Sequence, residues 1–490
     1  MKHKIIHHLQ YAIGASILTI LGIILIRGLE IPEIIHQKFF TSTTTELTTE
    51  IDNENTENSV TDTKIHTKIS YEQHIQKGNL LSENNLDSLA IAEYENAIKE
   101  NSSKAEPYFK IALIHKKNKD FEKALEFSEK AYITENGNSE YQNLYIQNLI
   151  RTNKKDQALA FVLKINDSAN SETLYYKGII LALNENYEDS KKTFSKALEL
   201  SSNADLSRKI QKFLDLYREF ELTEGGQEIY RMALISQNLI QNEFYLPSIE
   251  ILYEVIKEKY DYRDAWIMLG YSYLKTQNYF DAIEAFQTAL DIDPVKAQTR
   301  YFLGLAYFGI ENYHDAISNI EIALENGFQP KVEALQQLAE IAILNEEYEK
   351  AVESYKEVLI YKKRSIDIYI RPIWLLIEKL NQPEKAVDLA SEAIEFSPDS
   401  ALAYNLLGWA QTANGQYKNA YKNFEKAIEL DPKLASIYLN LGWWYQLQED
   451  FGSAQKNYLK SYELDPNGSV GNLAGERYNE IATLENKDEK

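Results

Sequence analysis

The sequence predicts an all-α fold: helix pairs stacked into a solenoid, wound as a right-handed superhelix and preceded by a single transmembrane helix. Three observations point there. From residue 71 onward a unit of about 34 residues recurs. Turn formers are scarce, with 10 Pro and 19 Gly in 490 residues, which favours long helices over a turn-rich β fold. The run Leu9–Ile26 carries no charge and is long enough to cross a bilayer, at roughly 1.5 Å per residue.

Composition narrows the function classes. Acidic residues outnumber basic ones 74 to 52, a net charge of −22 that repels phosphate backbones and argues against nucleic acid as a partner. There is no Cys, which excludes disulfides, thiolate-ligated zinc, iron–sulfur clusters and thiol catalysis.

Residues 1–8 form a short basic start with Lys2 and Lys4. Residues 9–26 read as an uncleaved signal anchor, because Arg27-Gly28-Leu29-Glu30-Ile31-Pro32 offers no small-x-small cleavage site. A cleaved signal and an apolar helix docked on protein are the other readings. The weak basic bias places the N-terminus in the cytoplasm and the bulk of the chain outside. Residues 27–70 read as a linker, and the Thr, Glu and Asn-rich stretch 41–68 lacks the apolar residues to offset its ordering entropy.

The clearest repeat is 263–296. It places Trp266, Leu269, Gly270, Tyr273, Ala282, Phe286, Ala289 and Pro294 at positions 4, 7, 8, 11, 20, 24, 27 and 32. Units 401–434 and 435–468 repeat most of this pattern, with Leu407-Gly408, Ala420, Phe424 and Pro432, then Leu441-Gly442, Ala454, Tyr458 and Pro466. Apolar spacings of three and four give two amphipathic helices per unit. Small residues at positions 8 and 20 let them approach, and large ones at 4, 7, 11 and 24 fill the space around the crossing. No unit buries its apolar face alone, so units stack.

This pattern resembles the tetratricopeptide repeat (TPR) at every signature position. Weaker units extend it into an N-terminal block over 71–204, of about four repeats, and a C-terminal block over 229–468, of about seven. A helical connector is expected at 205–228, ended by Thr223-Glu224-Gly225-Gly226. A capping helix and charged tail are expected at 469–490. Unit 139–170 is two residues short, with Ile146 at position 8. Unit 367–400 departs most: Trp374 takes the small position 8 and Pro372 lies inside the first helix, which predicts a kink or a widened groove.

No phosphate-binding loop, dinucleotide fingerprint or HExxH motif is present. The eight His (His3, His7, His8, His36, His66, His74, His115 and His314) are scattered, and no nucleophile–base constellation appears. The sequence therefore predicts no enzyme, catalytic residue, cofactor or metal site. What the resemblance implies is a concave groove lined by positions 2, 5, 6, 9, 12 and 13 of each first helix. Carried onto this chain, its protein-binding candidates are Met268, Tyr271 and Lys275, then Tyr301, Phe302, Leu305 and Phe308. Gln336, Gln337, Glu340 and Arg371 follow, then Asn405 and Trp409, and Asn440 and Trp443. Rings supply contact area and amides bond a peptide backbone, but packing against the next helix is the competing role for any one aromatic.

The carboxylate clamp by which TPR co-chaperones grip acidic C-terminal peptides needs Lys at position 5. No repeat has one; Asn79 holds position 9 of 71–104, but Ile75 holds position 5. This sets the chain apart from mitochondrial import receptors, which also combine an anchor with a TPR array. The expected role is a membrane-anchored scaffold that binds peptides or helices of other proteins, assisting a cell-envelope or secretion complex. A receptor for exported substrates and the noncatalytic array of a membrane enzyme complex are the alternatives. Heavy use of Ile, Lys, Asn and Tyr points to an AT-rich bacterial genome.

Overall fold

The structure, a computed structural model, describes residues 70–166, 168–221 and 228–488. The apolar run Leu9–Ile26, the linker before residue 70 and Thr223–Gly226 lie outside the described residues. Among the described residues there are 24 α-helices, one π-helical turn and no strand. No described helix is long and apolar enough to cross a membrane. The described residues fall into two compact units that part between Val295 and Lys296.

In the first unit, helices pair as α1 (Tyr71–Glu83) with α2 (Asp87–Glu100), α3 (Glu106–Lys117) with α4 (Phe121–Thr134), α5 (Ser139–Arg151) with α6 (Lys155–Val162), and α7 (Ser171–Leu183) with α8 (Tyr187–Leu200). The single helix α9 (Ala204–Glu221) follows. Then come α10 (Glu228–Gln241) with α11 (Tyr245–Glu258), and α12 (Arg263–Lys275) with α13 (Tyr279–Ile292). Helix α9 packs as the next first helix would. Its Ile210, Phe213, Leu216 and Tyr217 are buried, Phe213 stacks 4.6 Å from Phe194, and Tyr217 donates to Ser190 Oγ at 2.8 Å.

The second unit pairs α14 (Ala297–Gly309) with α15 (Tyr313–Glu325), and α16 (Lys331–Leu344) with α17 (Tyr348–Lys362). Next, α18 (Asp367–Trp374) runs into the π turn Leu375–Lys379 and pairs with α19 (Pro383–Phe396). It ends with α20 (Ala401–Ala413) and α21 (Tyr417–Leu430), α22 (Ala435–Leu447) and α23 (Phe451–Leu464), and the closing helix α24 (Ser469–Asp488).

Each crossing is set by the residues at positions 8 and 24. A Cβ placed on Gly78, Gly178, Gly270, Gly408 or Gly442 would lie 2.6–2.8 Å from the ring of Tyr94, Phe194, Phe286, Phe424 or Tyr458, sixteen residues on in each case. At three pairs a larger residue at position 8 goes with one smaller than a ring at position 24. Ser236 matches Leu252, Ile146 matches Val162, and Trp374 matches Ala390, all buried. The size order is thus inverted in the third helix pair from the end, α18–α19, where an indole fills the space that a ring from the second helix fills in the glycine-bearing pairs. There Pro372 lacks the N–H for an α-helical bond, and the chain continues as the π turn. A proline and a π insertion are two recognised causes of a helix irregularity, so the expected departure of this unit takes that form.

The turn inside each of the eleven pairs places one residue in the left-handed region, from φ 50° at Asn381 to 72° at Gly415. Only one of the eleven is Gly. The cost to an L-residue is offset by a Schellman closure: Asp120 N–H donates to His115 O, Asn278 N–H to Tyr273 O and Asp450 N–H to Tyr445 O, each at 2.9–3.1 Å.

In the first unit the turn after α5 is tied to the turn after α10. The Arg151 guanidinium lies 5.4 Å from the Phe121 ring and 5.3 Å from the Phe244 ring, and donates to Glu243 O at 3.2 Å. Asn153 and Lys155 both donate to Glu250, at 2.8 and 2.7 Å.

Gly408→Ala should destabilise the second unit by about 1–3 kcal/mol, the usual cost of overpacking, lowering its urea midpoint. Adding Phe424→Leu, which makes room for the new methyl, should recover part of the loss. Equal midpoints for wild type and Gly408→Ala would refute the size-matching account.

Candidate functional site

The inner edges of the first helices in the second unit form a groove of about 820 Å³. It is walled by α18 and its π turn, by α20 and α22, and by α24. Residues at matching helical positions converge: Leu402, Asn405, Leu406 and Trp409 from α20, and Ser436, Leu439, Asn440 and Trp443 from α22. Helix α24 adds Leu473 and Arg477, and the π turn adds Glu378. The walls are mostly apolar, with a few polar groups among them, the usual make-up of a binding cleft.

Each polar group has a different status. Asn405 is 1% exposed and bonded on both sides of its amide: it donates to Ser436 Oγ at 3.2 Å and accepts from Asn440 Nδ2 at 3.1 Å. It braces α20 against α22, and its burial keeps the rest of the amide from reaching a peptide backbone. Asn440 is half-buried, as is Trp443, while Trp409 is buried at 7% exposure. Arg477, 6% exposed, donates to Glu480 at 2.8 Å. Glu378 is half-buried on the groove wall. Burial pushes its carboxyl above the ordinary value, and the nearby Arg477 and Lys379 charges only partly oppose that. Burial likewise pushes the Tyr458 hydroxyl up.

The four C-terminal candidates, Asn405, Trp409, Asn440 and Trp443, are therefore brought together in one groove. The central candidates are not. Met268 and Tyr271, half-buried, and Lys275, exposed, sit on α12 of the first unit, with Lys275 Nζ 5.6 Å over the Tyr271 ring. Tyr301, Phe302 and Phe308 sit on α14 of the second. Tyr301 is buried and stacks on Phe328 at 4.1 Å, and Phe308 is buried 6.0 Å from Tyr313. Both rings serve packing, the competing role; Phe302 is half-buried beside Tyr301.

Between these sets lies a buried polar cluster. Tyr355 donates to Glu340, and Arg371 Nη2 lies 3.6 Å from the same carboxylate. Burial works to lower the Arg371 pKa, but Glu340 and Tyr355 outweigh it and hold the guanidinium protonated. The Tyr355 hydroxyl is pushed well above its ordinary value, first by burial and then by Glu340. Breaking such a pair from one side leaves an uncompensated charge, which makes the cluster a structural tie.

Two groove residues escaped the sequence reading. Glu378 stands at position 12 of its unit, a groove position, but the Pro372 irregularity drew attention instead. Arg477 appears only when the repeat frame is run past 468, where Leu473 and Arg477 fall at positions 5 and 9. Among the described residues, no group of three or more His, Asp or Glu is placed to hold a metal ion.

Models of the tetratricopeptide repeat match residues 105–132, 263–294, 301–365, 401–434 and 435–467. No curated protein matches the chain in sequence. Several solved structures are similar to the chain. Yeast Tom70 is 15% identical, with a TM-score of 0.29, over 85% of this chain and 96% of that one. YrrB, described as a TPR protein with an unusual peptide-binding site, is 19% identical, with a TM-score of 0.27, over 46% and 99%. MamA from Desulfovibrio magneticus RS-1 is 22% identical, with a TM-score of 0.28, over 35% and 96%.

Because the folded-state pKa of Glu378 is raised, the native state holds the extra proton. Its contribution to stability should fall as pH rises from the ordinary carboxylate value through the raised one. Glu378→Gln should therefore stabilise the protein at neutral pH, with the gain vanishing below the ordinary carboxylate range. Urea midpoints of both proteins across that range measure it, and a pH-independent difference would refute the assignment.

Proposed function

We propose that this tetratricopeptide-repeat protein is a noncatalytic, membrane-anchored scaffold whose C-terminal groove takes a peptide or helical segment of a partner protein. The observation that carries the reading is the convergence of Trp409, Trp443, Leu402, Leu439 and Leu473 on one groove. Large apolar walls with two indoles supply the desolvated anchor area on which protein recognition concentrates. Because Asn405 is tied to its neighbours, side-chain insertion would contribute more than an amide ladder along a peptide backbone.

Truncating Trp443, the more exposed indole, should release a groove-bound partner. In the intact membrane protein, Trp443→Ala should lower partner recovery at least tenfold. An exposed change on the other face of the array, such as Leu459→Ser, should leave it intact. Equal recovery from both would refute the groove.

The anchoring part of the reading rests on Leu9–Ile26, which is uncharged and about as long as a bilayer is thick. With the N-terminus cytoplasmic, the array faces outward, where an envelope or secretion assembly would be its setting. Transient, varied clients rather than stable partners would favour the receptor for exported substrates. Protease added to cells with the outer barrier opened should cut the repeats while the inner membrane is intact. Protection until that membrane is lysed would place the array in the cytoplasm instead.

A further inference from the structure

This inference deepens the groove reading and rests on it. The groove's charges are unequally answered. Arg477 is engaged by Glu480 at 2.8 Å, and Lys433 stands exposed at the rim with Asp431 and Asp465. Lys379 lies 5.8 Å over the Trp374 ring and 5.4 Å over the Tyr348 ring. Glu378 lines the groove yet makes no hydrogen bond or ion pair with any described residue. A carboxylate held in apolar surroundings is costly unless a cation or donor meets it. The same groove presents two indoles, the side chains that hold a cation best over their faces. Lysine and arginine also carry apolar stems that lie along such walls while the charged head finds a polar partner.

We propose that the groove selects a partner segment carrying a lysine or arginine between apolar residues. Its stem would lie along Trp409 and Trp443 and its charge would meet Glu378. An acidic segment would bring a second negative charge to a carboxylate that already lacks a partner. The chain's net charge of −22 acts in the same direction over longer range, drawing basic segments in.

The test is a selection of random dodecapeptides displayed on phage, against the full chain in detergent. Enriched sequences are expected to hold Lys or Arg flanked by Leu, Phe or Trp. A synthetic peptide from that set should lose at least tenfold in affinity on Glu378→Gln, an isosteric change that keeps the fold, and much less on Glu378→Asp. Replacing its cationic residue with norleucine should cost a similar factor against wild type and little further against Glu378→Gln. Neutral or acidic peptides that need Trp443 but ignore Glu378 would overturn the cation inference and leave the groove standing. Peptides indifferent to both Trp443 and Glu378, or no enrichment, would count against the groove itself.

Discussion

The contact between positions 8 and 24 of each repeat is the constraint on which the rest of the structure depends. A helix pair of this kind has little core of its own, and the ring seated on a bare glycine backbone supplies much of it. At five of these glycines a single added carbon would overlap an aromatic ring. What is kept is a volume rather than a residue type, since Ser236 with Leu252 and Ile146 with Val162 occupy the same two places. Close packing explains this: an interior without voids tolerates exchange of volume between neighbours better than loss of it. Trp374 with Ala390 carries the exchange to its limit, with the bulk moved onto the first helix. That helix also holds Pro372 and runs into the π turn, which carries the groove residue Glu378.

Much of this was legible in the sequence because the two helices bury opposite ends of one contact. Gly270 and Phe286, or Gly408 and Phe424, repeat at a fixed separation, and such spacing survives when individual letters change. The helix-pair fold followed from it. The left-handed turn residues were not legible. A reader expects glycine there, and only Gly415 obliges; Lys119, Glu311 and Glu449 adopt the same conformation because backbone bonds close the turn around them. The role of Asn405 was also hidden. Its position on the inner face suggested peptide binding, whereas it is buried and bonded to Ser436 and Asn440. Position specifies which way a side chain faces, but only the neighbouring repeat determines whether it has anything left to offer.

The same distinction separates the aromatic candidates. Tyr301 and Trp443 both lie on first helices and both read as groove residues. Tyr301 meets Phe328 from the loop closing its own unit and is buried by it. Trp443 meets no such ring and keeps part of its surface in the groove. The difference arises from a residue about twenty-seven positions downstream, beyond the window in which helical periodicity is read.

Two carboxylates in the second unit show how the groove differs from its supporting wall. Glu340 receives Tyr355 and faces Arg371, so its burial is matched by a donor and a cation. Glu378 is also partly withdrawn from water, on a helix made irregular by Pro372, but no donor or cation bonds it directly, and the Arg477 and Lys379 charges offset its burial only in part. Desolvation acts on both alike, and the first shows that this fold can supply partners where a buried acid serves only to tie helices together. The second is left facing an apolar cleft with two indoles. A charge only partly answered weakens the free protein, and a bound cation would relieve that cost on binding. That is the energetic condition for a site selective by charge: the groove is less stable empty than filled, and only a ligand of the right sign closes the difference.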